Sequence, residues 1–408
     1  MRRALVFPLL IATFAAGCSS SPEKEPAEKR SPQPVAPAGP APDQPPAREA
    51  FAPWPMALHD ARHSGASPVN GPTTGRVAWR RKLEGPVVPG PVVGKGGVAY
   101  AASNGGVLHA LRVSDGTELW RFDGGGSYGV DLSTSPTLLA EGTILWPGPE
   151  GLYALTAQGK LRWKVPFDSM ALSPLPASGG RVYVQEMDGT LHALRLRGSR
   201  RPQELWARDL GSTSYGSPAQ GPRDDVYTTV DRALVDVTRD GRVRWRFKAR
   251  SIVEVSPAVA PDGTAVLGTN DRYQYGVDRD GKRAWRHPRR ELTYSSPGVT
   301  EDGTAYFGDH GGFLNAVQVK TGKLVARYQG QGRTRAERNV GIWTAPLVDA
   351  RRNVYFGNHP GKVYGFARSG RKLFEIDTGG VVDSYPALAS DGTLLIGSES
   401  GELLAIRD

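Results

Sequence analysis

The chain has 408 residues, a formal charge of +10 from 51 Lys and Arg against 41 Asp and Glu, and one cysteine. Its 51 glycines and 33 prolines call for dense turns, and no long helical period runs through it, which argues against helical bundles and α/β layers. A lone cysteine has no partner for an intrachain disulfide. Arginines scattered through strand ends lack the single stripe of a nucleic-acid binder.

Residues 1–17 read as a secretory leader. Arg2-Arg3 give the positive start, and Ala4 to Ala16 form an apolar run too short to span a bilayer as a mature helix. Losing that leader leaves the chain basic, which favours anionic surfaces or partners. The run ends Ala15-Ala16-Gly17-Cys18 and resembles the bacterial lipobox, whose cysteine is lipidated and becomes the mature N-terminus; Ala15 stands where that pattern prefers Leu. Cys18 is therefore the expected lipidation site and the membrane anchor. Ser19, in place of the Asp that retains such proteins at the inner membrane, resembles the outer-membrane sorting pattern. Residues 18–50 continue as a Pro-, Ala- and charge-rich tether that cannot bury enough surface to fold.

Residues 51–74 are a lead-in, marked by Phe51 and Trp54-Pro55-Met56 and expected to lie along the surface of the repeats. His59 and His63 share a helical spacing that would suit a metal. No third ligand accompanies them, and Gly65 and Pro68 break a helix, so no metal is expected.

From residue 75 to 408 one pattern repeats. Its clearest copy is Pro91 to Phe122, PVVGKGGVAYAASNGGVLHALRVSDGTELWRF. Alternation places a short inner strand after Pro91 and further strands near Val98–Ser103, Val107–Val113 and Glu118–Phe122. Gly96-Gly97, Asn104-Gly105-Gly106 and Asp115-Gly116 separate them and supply the positive-φ positions of tight hairpins. Four strands in about forty residues make a sheet too small to stand alone, so the unit must stack on copies of itself. Copies start at Ser135-Pro136, Ser173-Pro174, Ser217-Pro218, Ser256-Pro257, Ser296-Pro297, Ala345-Pro346 and Tyr385-Pro386. Trp120, Trp163, Trp206, Trp245 and Trp285 mark the last strand, with Ala326 and Phe374 in that place in two later copies.

The eighth copy ends at Asp408 after three strands. The missing Trp strand stands at the other end, at Arg76–Leu83 (RVAWRRKL). The fold expected is all-β: an eight-bladed propeller of four-stranded antiparallel blades, closed by the N-terminal strand completing the last blade. Closure removes the hazard of an unpaired edge at the seam.

The aspartates before glycine, such as Asp115, Asp262, Asp302 and Asp391, bond local backbone in turns. One tryptophan per copy is what blade packing requires. No nucleophile elbow, P-loop or His-Glu-x-x-His run is present, so neither a catalytic residue nor a cofactor is expected. Variation lies instead in the connections before each Ser-Pro, which converge on one mouth of the central channel. Tyr128, Asp131, Tyr215, Glu254, Tyr294, Trp343, Asp383 and Tyr385 stand there. A basic insertion, Gln329–Val340, adds Arg338. Tyr and Trp anchor partners at low entropic cost, so these nine residues are the candidate partner-binding set.

The order Ser-Pro, Asp-Gly-Thr, Val-Tyr-x-Gly, Asp-Gly-x-Leu-x-Ala-Leu, Gly-x-x-Leu-Trp resembles the quinoprotein (PQQ-type) propeller repeat in all eight copies, best at Asp262-Gly263-Thr264, Asp302-Gly303-Thr304 and Asp391-Gly392-Thr393. One branch of that superfamily is the quinone-dependent dehydrogenases. They are longer, hold Ca²⁺ with Glu, Asn and Asp, and many stack the quinone on a vicinal disulfide, which one cysteine cannot form. The other branch is the non-enzymatic lipoprotein subunit of the outer-membrane β-barrel assembly machinery and its relatives. That resemblance implies a non-catalytic scaffold on the outer membrane, facing the periplasm and binding protein rather than nucleic acid. An oxidoreductase-like or small-ligand-binding propeller is the alternative.

Overall fold

Alternation and glycine turns fold the first copy as a four-stranded antiparallel sheet: Val92–Val93, Val98–Ser103, Val107–Arg112 and Glu118–Asp123, paired in sequence order. The strand bounds match the alternation to within a residue. The computed structural model describes residues 52–128, 134–289, 291–330 and 339–408. Among these, eight such sheets are present: blade one (92–123), two (137–165), three (175–209), four (219–248), five (258–288), six (298–329), seven (347–377) and eight (387–406 with 77–82). The expected eight-bladed propeller is the fold observed.

Blade eight is completed as expected. Val77–Lys82 pairs antiparallel with Glu402–Ile406, Trp79 opposite Ala405 and Arg81 opposite Leu403. The N-terminal strand thus lies hydrogen-bonded to the C-terminal one, and the ring is shut by backbone bonds.

Tryptophan joins blade to blade by one recurring contact. Trp79 lies against Gly116, in the last hairpin turn of blade one, with its ring 2.8 Å from where a Cβ would stand; its Nε1–H donates to Val113 O at 2.7 Å. Trp120 repeats this on Gly159 and Ala157 O (2.9 Å), Trp206 on Gly241 and Arg239 O (3.0 Å), and Trp245 on Gly281 and Arg279 O (3.2 Å). Trp285 donates to Val319 O above Gly322. The glycine is needed twice over, for its positive φ and for the indole above it. Trp163 is the exception. The strands it faces, Thr190–Arg197 and Arg200–Asp209, run long, their turn at Gly198 lies out of reach, and its Nε1 finds no partner among the described residues.

The lead-in does more than lie along the surface. It runs along the downstream ends of the inner strands and meets the blades in turn. Trp54 pairs with Val93 of blade one, and Pro55 O accepts Leu138 N of blade two (2.6 Å). Met56 joins the apolar cluster of Leu175 and Tyr183 in blade three. Ala61 O accepts Gln220 N (2.6 Å), Arg62 O accepts Val259 N (2.8 Å), Gly65 packs against Gly298, and Gly65 O accepts Val348 N (2.8 Å). Asn70 O lies over Gly392 of blade eight, and the chain then enters that blade as its last strand. Leu58 and His63 are buried, and Leu58, His59 and His63 take positive φ, strain of about 1 kcal/mol or more each that the surrounding contacts must hold. His63 Nδ1 donates to Pro257 O at 2.8 Å, and His59 packs on Trp54 with ring centroids 4.7 Å apart.

Candidate binding site at the channel mouth

Each inner strand is preceded by a residue and a proline, which fixes φ and needs no ladder partner at a strand start. The residue before the proline is Gly90, Ser135, Ser173, Ser217, Ser256, Ser296, Ala345 and Tyr385 around the ring. The serines form a belt. Ser135 N donates to Ser173 Oγ (2.8 Å), Ser173 N to Ser217 Oγ (3.2 Å), Ser217 N to Ser256 Oγ (2.9 Å) and Ser256 N to Ser296 Oγ (3.0 Å). Where the belt breaks at Ala345, Tyr385 reaches across from blade eight and places its hydroxyl 3.1 Å from Ser296 Oγ. Gly90 makes room for it, since a Cβ there would stand 2.8 Å from Tyr385 Cβ.

Two residues upstream of each belt position lies the rim. In blades four to eight it reads Tyr215, Glu254, Tyr294, Trp343 and Asp383; in blades one and three it is Val88 and Ala171. One side of the mouth is therefore aromatic and acidic, the other small and apolar. The rim side chains interlock with the hairpins between second and third strands, which open on the same face. Asn270 Nδ2 donates to Glu254 Oε2. Tyr294 meets His310 at 4.8 Å and Trp343 at 5.0 Å, and Trp343 stacks on His310 (5.2 Å) and tilts against His359 (4.4 Å). His359 Nδ1 is 4.0 Å from Asp383 Oδ1. Burial, then the Glu254 carboxylate, push the Tyr294 phenol up from its ordinary value. Trp343 owes its pose to Gly341, where a Cβ would stand 2.6 Å from Nε1.

These residues and Val88 surround a cup of about 410 Å³, lined further by Thr134, Leu172, Ser217 and Ser256. Of the nine candidates, the structure brings together Tyr215, Glu254, Tyr294, Trp343, Asp383 and Tyr385. Tyr128 is not among them. It is buried between blades one and two, its N–H on Asn104 O (3.1 Å) and its hydroxyl on Pro147 O. Its connection is long, and Tyr128 stands well upstream of the rim register, so it folds back into the core. Asp131, Arg338 and Cys18 lie outside the described residues. Sequence reasoning missed His310, His359, Met187 and Glu399, all supplied by second-to-third-strand hairpins. The signal was available, because those hairpins must open on the same face as the connections before Ser-Pro.

The family model described as outer membrane protein assembly factor BamB matches residues 69–130, 115–201 and 199–408. The chain belongs to the BamB family. BamB from Yersinia pestis is 29% identical over 154 residues, 34% of this chain and 38% of that protein, so the aligned part spans well under half of the curated relative. The crystal structure of BamB from Moraxella catarrhalis superposes with a TM-score of 0.65 at 15% identity, covering 82% of this chain and 100% of that one. The quinohemoprotein alcohol dehydrogenase of Comamonas testosteroni superposes at 0.68 and 14% identity, covering 88% and 80%. At these identities the structural likeness is one of fold, and it spans both the BamB and the dehydrogenase branches.

Proposed function

We propose that this member of the BamB family is a non-catalytic propeller, anchored through Cys18 to the periplasmic side of the outer membrane, that docks a protein partner at its channel mouth during outer-membrane protein assembly. The observation that carries the reading is the rim. Five consecutive blades place an aromatic or acidic residue at one structurally equivalent position, while blades one and three place small or apolar ones there. Packing alone would be served by much the same residue around the ring, as the tryptophan in six of the eight blades shows; an uneven rim suits a partner of defined shape. Family membership supplies the assembly context, and the leader with its lipobox-like cysteine supplies the anchor.

The dehydrogenase reading gains nothing from the mouth. That branch holds Ca²⁺ with Glu, Asn and Asp, whereas among the described residues no group of three or more His, Cys, Asp or Glu side chains is placed to hold a metal ion. The single cysteine cannot form the vicinal disulfide on which many of those enzymes stack the quinone.

The test is crosslinked capture of β-barrel assembly components from native membranes. Tyr215→Ala with Trp343→Ala should weaken capture by about 2 kcal/mol or more, the loss expected of anchors in an interface, with the fold intact. Asp262→Ala and Asp302→Ala, which lose turn bonds to Thr264 N (2.9 Å) and Thr300 Oγ1 (2.6 Å), should cost stability and leave capture unchanged. Full capture by the rim variant and loss in the turn variants would move the site elsewhere.

A further inference from the structure

Strand direction decides which face of the ring each turn meets. The inner strands run away from the mouth, so in an antiparallel blade the third strand does too, and the turn between third and fourth strands opens on the far face. The lead-in runs along that same face. The described chain begins there at Ala52, two residues before Trp54 pairs with Val93.

Blade three departs from the others on this face. Its last two strands, Thr190–Arg197 and Arg200–Asp209, have eight and ten residues, against five or six in the other blades. Arg181, where the second strand begins, pairs with Arg195, so residues 196–201 reach past the body of the blade. The overhanging hairpin presents Arg195, Arg197, Arg200 and Arg201, all exposed, and none pairs with a carboxylate among the described residues. Packing does not account for it. The extension carries the turn at Gly198 out of reach of Trp163, and it sets Arg197 directly opposite Arg200, a like-charge pair that weakens a hairpin.

A second basic cluster stands across the ring. The turns of blades six and seven present Lys320, Lys323, Arg368 and Arg371, again exposed and without a carboxylate partner among the described residues. In blades four and five, by contrast, turn charges are matched: Arg239 on Asp224, Arg242 on Asp240 and Arg223 on Asp280. Blade seven is diametrically opposite blade three in a ring of eight. A single peptide segment would have to cross the whole face to touch both clusters. A flat anionic surface touches both at once.

We propose that the far face docks on the anionic phospholipid headgroups of a bilayer, the blade-three hairpin on one side and the blade-six and blade-seven turns on the other, with the mouth turned away. A single acyl chain binds a bilayer only marginally, and a polybasic patch is an effective second signal. Each Lys or Arg near an anionic leaflet adds attraction that fades within a Debye length. The inference adds an orientation to the anchored chain proposed above, and its test leaves the anchor out, so either can fail alone.

The test uses residues 19–408, which hold the lead-in and every strand of the ring and carry neither the leader nor Cys18. Flotation with vesicles of about one-third phosphatidylglycerol in phosphatidylcholine should capture the protein at low salt at least about tenfold more tightly than pure phosphatidylcholine does. Capture should fall as salt is raised. Arg195→Gln, Arg197→Gln, Arg200→Gln and Arg201→Gln together should weaken it about tenfold or more, and so should Lys320→Gln, Lys323→Gln, Arg368→Gln and Arg371→Gln together, with melting temperatures unchanged. The matched control on the mouth side of blades four and five, Arg232→Gln, Lys248→Gln, Arg250→Gln and Arg272→Gln, should leave capture within about twofold. A fluorophore on Ser369→Cys, in the blade-seven turn, should be quenched by headgroup-labelled lipid; one on Ser212→Cys, in the connection from blade three to blade four, should not. Absence of capture, equal capture by neutral vesicles, a control loss as large as that of either cluster, or stronger quenching at Ser212→Cys overturns the surface. Vesicle capture unchanged in both cluster variants, with crosslinked capture of assembly components lost, gives the face to a protein and likewise overturns it.

Discussion

Trp79→Ala tests the seam at which the ring closes. Trp79 is half-buried, packs against Gly116 of blade one and donates Nε1–H to Val113 O at 2.7 Å. Truncating a fully buried aromatic costs about 3–5 kcal/mol; at half burial the packing loss is about 2 kcal/mol. The lost hydrogen bond adds about 1 kcal/mol, so about 3 kcal/mol is expected. Trp79→Phe, which keeps most of the ring and loses the N–H, should cost about 1 kcal/mol. Urea unfolding followed by circular dichroism gives the totals, and amide exchange in Val77–Lys82 and Glu402–Ile406 gives the location. Exchange should rise there before it rises in blades three to six. Trp163→Ala, which removes an indole 6% exposed with no hydrogen bond at Nε1 among the described residues, serves as the interior control. A Trp79→Ala protein with an unshifted unfolding midpoint and undisturbed exchange in Val77–Lys82 would show that the indole does not hold the seam.

Gly341→Ala should displace the Trp343 indole, since its Cβ would fall 2.6 Å from Nε1, and weaken partner capture several-fold while the melting temperature barely moves; unchanged capture would remove Trp343 from the interface. His63 is held below its ordinary value of 6.5, first by burial, with the Pro257 carbonyl and Asp60 opposing. The folded chain therefore resists a proton that the unfolded chain accepts, and stability present above pH 6.5 is lost as pH falls. His63→Gln, compared with wild type in urea at pH 7 and pH 5, should flatten that slope; parallel slopes would refute it. Cys18→Ala should shift the protein from the membrane to the soluble fraction, because anchoring needs buried acyl chains, and an unmodified Cys18 in the membrane fraction by mass spectrometry would end the idea of lipidation.

The turn glycines, the two-residue alternation and the Trp in most copies make the blades legible from sequence, because a hairpin is specified by residues a few positions apart. Closure was legible for the same reason: an eighth copy one strand short, and RVAWRRKL waiting at residues 76–83. The rim was half legible. Its residues could be named, but which of them share a cup depends on register, and two positions upstream of the belt is the register that counts. Tyr215 and Trp343 stand in it; Tyr128 does not, and its ring went to the core between blades one and two.

The path of the lead-in was decided by tertiary structure alone. Residues 52–72 have no period to read, and their bonds go to backbone groups of Val93, Leu138, Gln220, Val259 and Val348, which any side chain could flank. Backbone amides and carbonyls carry no sequence signature, so a segment held by them on five of the eight blades leaves little trace in the order of its residues. The shared lining of the cup has the same origin. Glu254, Asp383 and Glu399 are three acids among 41 until the closed ring turns them toward one space.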